Sequence, residues 1–142
     1  MLISKENVIE KLSNNKVVIS TFYPLNKKAH FILLTDIHVI LSDGEIINIE
    51  KGFTFDGSSV PRFLWWAFPP YGNFLFAAVL HDWFYVKRHR NNIVGTQQAR
   101  KFADKEMLIW SNLLNNSNFG KKADNYIRYL AVRLFGKRQY LN

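Results

Sequence analysis

Phe74 to Arg88, FLFAAVLHDWFYVKR, decides the fold. It contains neither Gly nor Pro and is apolar nearly all the way round, so it predicts a helix in the middle of a core rather than on its surface. Asn73 is placed to cap it, because an Asn side chain accepts from first-turn N–H groups. His81 and Asp82 interrupt the apolar run. A charged carboxylate in such surroundings costs several kcal/mol unless it is paired or ligated. The helix is therefore expected to meet polar partners on another element.

Downstream, Arg90 to Gly95 reads as a polar loop, and Thr96 opens a helix through Leu114. Asn115 to Gly120 forms another loop. A last helix, Lys121 to Phe135, puts Ala123, Tyr126, Ile127, Leu130, Ala131 and Leu134 on one stripe expected to pack on the core, and Gly136 is the expected stop. Upstream, Ser59 and Pro61 suit the start of a short helix that Pro69-Pro70 ends.

The first half has a different period. Residues 5–14 can form a short helix, and Lys16 to Tyr23 is β-branched and aromatic, which predicts a strand. Phe31, Leu33, Thr35, Ile37, Val39 and Leu41 fall on one face of an extended chain. Asp36 and His38 fall on the other. Asp43-Gly44 makes a hairpin turn to Ile46–Ile49, and Lys51 to Phe55 is expected to continue the same sheet until Asp56-Gly57 ends it. The expected architecture is α+β. A small antiparallel sheet (β-rich residues 1–58) packs against three to four helices (residues 59–142) in a single domain.

Composition narrows the chemistry. With no cysteine among 142 residues there is no disulfide, thiolate nucleophile or thiolate metal site, so any metal must sit on His, Asp or Glu. Met1 to Asn15 lacks an apolar signal core, and Pro69, Pro70 and Gly72 break the apolar run Phe63–Leu80, so neither a signal peptide nor a transmembrane helix is expected. Residues 1–80 carry seven Lys/Arg and seven Asp/Glu; residues 81–142 carry twelve and four. The whole net charge of +8 thus belongs to the second part, where an anionic partner would meet it.

The candidate site follows from the buried polar residues. Tyr85 stands four residues after His81, close enough to share its side of the helix. Asp104, followed by Met107 and Leu108 and preceded by Arg100, turns partly inward and is the natural partner on the next helix. Asp104 would fix the tautomer of His81, which then serves as a general base, while Asp82 contacts a cation or substrate. Asp56 and Ser58 are candidate further substrate or cation contacts, although the structural role, an Asp56-Gly57 turn with Ser59 capping the next helix, is the favoured reading of this cluster. A His-Asp pair in a buried helix also serves simply to join helices. His30, His38 and His89 are expected at the solvated surface. Trp65, Trp66 and Phe68 offer an interface, because two adjacent Trp on a short helix cannot easily both be buried. Lys121, Lys122, Arg128, Arg133, Lys137 and Arg138 edge the last helix as an anion-binding row.

These segments carry two resemblances. FDGSSVPRFLWW (55–66), LHDWFY (80–85), ARKFADKEM (99–107) and YLAVRLFG (129–136) together resemble a bacteriophage and prophage family, domain-of-unknown-function family 1353. That resemblance spans Phe53 to Gly136. It implies a phage setting, in the virion or the host cytoplasm, with other phage structural proteins as partners. The pattern His81-Asp82-x-x-Tyr85 with Ala103-Asp104-x-x-Met107 is also similar to the active site of viral phospholipase A2. That similarity implies His81 as base, Asp82 as a calcium ligand, and Tyr85 and Asp104 as supports. The upstream Gly-rich calcium loop of such enzymes has no counterpart here, since Tyr71-Gly72-Asn73 stands too close to His81. The resulting expectation is a phage accessory protein of the virion or tail with a hydrolase-like site acting on the host envelope. Its alternatives are a structural adaptor of the tail or neck, and a module that binds nucleic acid or membrane without chemistry.

Overall fold

A computed structural model of the chain describes residues 2–8, 19–22, 30–55, 75–114, 119–137 and 140. The expectations for residues 9–14, Asp56, Ser58, Trp65, Trp66, Phe68 and Arg138 lie outside the described residues, as do the side chains of Lys121 and Lys122. The fold class is α+β: among the described residues, small N-terminal sheets are followed by four C-terminal helices that pack together. The chain divides into two compact units, Met1–Asp56 and Gly57–Asn142.

In the first unit the alternating run of residues 31–41 forms two strands instead of the single one expected. Strand β3 is His30–Leu33 and β4 is Ile37–Ile40, and they belong to different three-stranded sheets. One sheet runs β1 (Leu2–Ile3), β4, β5 (Ile46–Ile49); the other runs β2 (Ile19–Phe22), β3, β6 (Thr54–Phe55). The single antiparallel sheet is thus corrected to two, and the β1–β4 pair is parallel. The break has a local cause. Leu33 is bonded on both sides to the 52–53 backbone, donating to the Phe53 carbonyl at 2.9 Å and accepting from Gly52 at 2.7 Å. Three residues on, the Asp36 carboxylate accepts from the Lys51 N–H at 2.7 Å. Gly52, at φ 87°, allows that turn and sends residues 54–55 into the second sheet instead of extending the hairpin.

The hairpin itself forms as expected. Ile37 pairs with Ile49 and Ile40 with Ile46, around Gly44 at φ 90°. The period-two pattern also holds: Leu33, Ile37, Val39, Leu41, Ile47 and Ile49 are buried, and His38 faces solvent.

In the second unit, helix α1 is Leu75–Lys87, and every described side chain from Phe76 to Tyr85 is buried, as its all-round apolarity requires. Arg88 (φ 48°) and Arg90 (φ 70°) end it in left-handed backbone. The expected loop at 90–95 contains a one-turn helix, α2 (Asn91–Val94), closed by Gly95 at φ 83°. Helix α3 is Thr96–Leu114, and α4 is Phe119–Phe135, starting two residues before the expected Lys121. Helix α3 packs against both α1 and α4. Edge-to-face rings tie it to α1, with Phe76 5.4 Å from Trp110 and Phe84 5.7 Å from Phe102. His89 is not solvated as expected; its ring lies 5.3 Å from Trp83 and 5.6 Å from Phe84.

Helix α4 is rotated from its expected setting. Asn125, Ala131 and Val132 are buried, whereas Tyr126, Ile127, Leu130 and Leu134 are exposed. Polar bonds turn it this way. Asn125 donates to Asn112 at 3.0 Å, and the Val132 and Arg133 carbonyls accept from Arg100. Helix α4 stops at Gly136 as expected, but not in left-handed backbone; a Cβ there would stand 2.6 Å from the Val132 carbonyl oxygen and 2.9 Å from the Tyr85 hydroxyl. The absent side chain makes room for Tyr85. Among the described residues no helix is long and apolar enough to cross a membrane.

Candidate functional site

Three helices converge on the carboxylate of Asp104, which is fully buried. Helix α1 presents His81 and Tyr85 one turn apart, so both rings reach the same oxygen. His81 Nε2 lies 2.7 Å from Asp104 Oδ1, and the Tyr85 hydroxyl donates to that oxygen at 2.6 Å. Helix α4 supplies Arg133, whose Nη1 donates to Oδ2 at 2.8 Å. On α3 itself Arg100 Nε stands 3.9 Å from Oδ2 while its Nη2 donates to the carbonyls of Val132 (2.7 Å) and Arg133 (2.5 Å). A second ring of contacts holds Tyr85. Tyr140 meets it edge to face at 4.8 Å, and the Tyr140 hydroxyl is hydrogen-bonded to Asn91 Oδ1.

The charges fix the protonation pattern. Burial alone would raise the carboxyl of Asp104. The hydrogen bond and charge of His81, with the bonds from Tyr85 and Arg133, outweigh it and hold the group below the usual carboxylate range. An ionised carboxylate only accepts, so the His81 nitrogen facing it, Nε2, must carry a proton. In the neutral ring the lone pair then falls on Nδ1. That atom is buried and has no hydrogen-bond partner among the described residues. Burial, followed by the neighbouring charge of Asp104, pushes the Tyr85 hydroxyl far above the usual tyrosine range, so it stays a donor.

Of the expected site residues, the structure brings His81, Tyr85 and Asp104 together. Asp82 is also buried, at 7% exposure, about 100° round the helix from His81. Among the described residues no three His, Asp or Glu side chains gather into a group that could hold a metal ion. Arg133, expected in the anion-binding row, is instead turned onto Asp104, with its side chain 28% exposed. Arg128 donates to Asn125 at 3.0 Å, and Lys137 is exposed. Sequence reasoning missed Arg133, Gly136 and Tyr140 as parts of this cluster. The available signal was the small pair Val132 and Gly136 one turn apart, which marks a close helix face beside Arg133.

This bonded His-Asp-Tyr cluster on adjacent helices sits in a chain whose residues 31–132 match the model of a family described as a protein of unknown function, DUF1353. The match covers more than two thirds of the sequence, and the chain belongs to that family. It includes His81, Tyr85 and Asp104. No curated protein and no solved structure matches the chain.

Proposed function

We propose that this chain is a hydrolase in which His81 Nδ1 is the general base. The observation that carries the reading is the division of labour on one imidazole. Nε2 is held by a buried, ionised Asp104, and the opposite nitrogen has no hydrogen-bond partner among the described residues. Leaving a polar atom buried and unsatisfied costs about 1–3 kcal/mol, and on an imidazole whose other nitrogen is fixed by a carboxylate this favours a use for Nδ1 beyond joining helices. In the reaction Nδ1 takes a proton from water, the resulting hydroxide adds to an acyl carbon, and the imidazolium returns the proton to the leaving oxygen or nitrogen. Asp104 stabilises the imidazolium, and Tyr85 and Arg133 keep the carboxylate in place. No step is routed through a cation, since the described residues do not assemble a ligand set.

The similarity of the two helical motifs to phospholipase A2 favours an ester of the host-cell envelope as substrate. The motif pattern favours a phage or prophage accessory protein of the virion or tail. One observation favours the competing reading of a structural adaptor: His81 and Asp104 are both fully buried. The test is release of fatty acid from phospholipid vesicles, and of soluble fragments from cell walls, with and without calcium. His81→Gln keeps the size of the side chain, and Asp82→Asn removes the candidate cation contact. Loss of about 10²- to 10⁴-fold in His81→Gln, at a retained melting temperature, is expected for a general base. Equal turnover by that variant, or none by the wild type on either substrate, discards the enzyme in favour of the adaptor.

A further inference from the structure

The face of α4 expected to pack inward points outward. Tyr126, Ile127, Leu130 and Leu134 are 52%, 46%, 40% and 73% exposed. At 3.6 residues per turn they fall within an arc of about 100°, a continuous apolar stripe rather than scattered single residues. The opposite face is committed: Asn125, Val132 and the carbonyls of Val132 and Arg133 are bonded or packed against α3. The stripe therefore cannot be buried against α3 by a simple roll of the helix without losing those contacts.

The exposed charge of the helical unit is one-sided. Residues 81–142 contain four acids, and three of them, Asp82, Asp104 and Glu106, are buried. Lys87, Lys101, Lys105 and Lys137 are all exposed. Among the described residues of the helical unit, no exposed charged side chain is acidic. Lys137 stands one turn beyond the Arg133–Leu134 end of the stripe. A second copy of the chain docking through the same stripe would bring like charges together. A nucleic-acid duplex would suit the cations and leave the four apolar side chains in water. A bilayer with anionic headgroups satisfies both, because the stripe enters the acyl boundary while Lys137 at its end remains among the headgroups of a surface that attracts the positively charged unit.

We infer that α4 is a membrane-docking helix that rests on anionic lipid through Tyr126, Ile127, Leu130 and Leu134. This docking stands independently of any chemistry at His81. The experiment is co-sedimentation of the full chain with vesicles of phosphatidylglycerol and, separately, of phosphatidylcholine. Variants Leu134→Asp, Ile127→Ser and Lys137→Glu are run in parallel, each checked by thermal melting. Saturable binding to the anionic vesicles alone is expected. Lys137→Glu should weaken it at least about fivefold, the equivalent of one basic residue near the surface. Leu134→Asp, at the most exposed position, should weaken it further without lowering the melting temperature, and Ile127→Ser provides an independent check on the same stripe. Equal binding to both lipids, undiminished binding by the folded apolar variants, or binding to duplex DNA with none to vesicles overturns the inference. So does a dimer in sedimentation velocity that Leu134→Asp dissociates. Failure of hydrolysis leaves it untouched, since the readout is binding.

Discussion

Asp104 accepts from three side chains on two other helices, so its removal strands more than itself. Asp104→Ala leaves His81, Tyr85 and Arg133 without their acceptor in a buried setting, and breaking such a buried charge cluster costs about 3–5 kcal/mol. Tyr85→Phe deletes one of several donors to a charged group and should cost about 2 kcal/mol. Urea unfolding followed by tryptophan fluorescence measures both. The same residues set the pH limits of stability. The carboxyl of Asp104 is held below its unfolded value of 3.8, so the folded state binds fewer protons than the unfolded state between the two values. Its contribution is complete above about pH 4 and is lost as the pH falls toward the lowered value. Tyr85 has the opposite sign. Its hydroxyl is raised from 10.0, so its contribution is complete below pH 10 and is lost as the pH rises beyond that. Acid and alkaline melts of the wild type should show both losses. Asp104→Asn should flatten the acid limb, and Tyr85→Phe the alkaline one. An acid limb unchanged in Asp104→Asn would mean that other carboxylates carry it. His81, Tyr85 and Asp104 were legible in the sequence because burying polar groups in an apolar helix is costly enough to demand partners. Arg133 was not, because its spacing fits a solvated basic row as well as an inward reach.

At the scale of the element, the rotation of α4 makes a sharp contrast. Val132→Ala should cost roughly 2 kcal/mol, the removal of two buried methyl groups with incomplete collapse of the gap. Leu134→Ala, on the exposed face, should stay within about 0.5 kcal/mol. If Leu134→Ala proved the costlier, α4 would be packed through the stripe that its apolar pattern first suggested. Gly136→Ala tests the neighbouring turn. The new Cβ meets a backbone oxygen and the Tyr85 hydroxyl, so a loss of about 1–3 kcal/mol is expected from steric displacement, not from backbone strain. Elements with one dominant signal were readable from the chain. Helix α1 followed from apolarity on all sides, the start of α3 from Thr96, and the β4–β5 hairpin from Asp43-Gly44. The orientation of α4 was not readable, because its polar contacts to Asn112 and Arg100 outweigh apolar area and involve residues that carry no periodic signal. The split at Leu34–Asp36 was hidden for a related reason. Alternation survives the bend, while the Asp36–Lys51 bond that fixes it joins residues fifteen apart.

For the whole molecule, alternation specifies which side chains are buried but not how many sheets share the strands, so two three-stranded sheets read in sequence like one. The distribution of charge was legible at this scale, and burial sharpens it. With Asp82, Asp104 and Glu106 inside, the surface of the helical unit is more positive than its composition suggests. Exposed like charges repel one another within a Debye length, about 30 Å at 0.01 M salt and about 8 Å at 0.15 M. Sodium chloride should therefore stabilise this unit by screening. A gain of about 1 kcal/mol, or roughly 5 °C in melting temperature for a unit of this size, is expected across that range. All four tryptophans lie beyond residue 57, so their fluorescence follows the helical unit through the melt. Lys101→Glu should raise the low-salt melting temperature and reduce the salt response, because it removes one member of the repelling set and adds a compensating charge. A melting temperature that falls with salt would show that attractive surface pairs dominate. Lys87, Lys101, Lys105 and Lys137 would then be engaged within the protein and less available to an anionic partner.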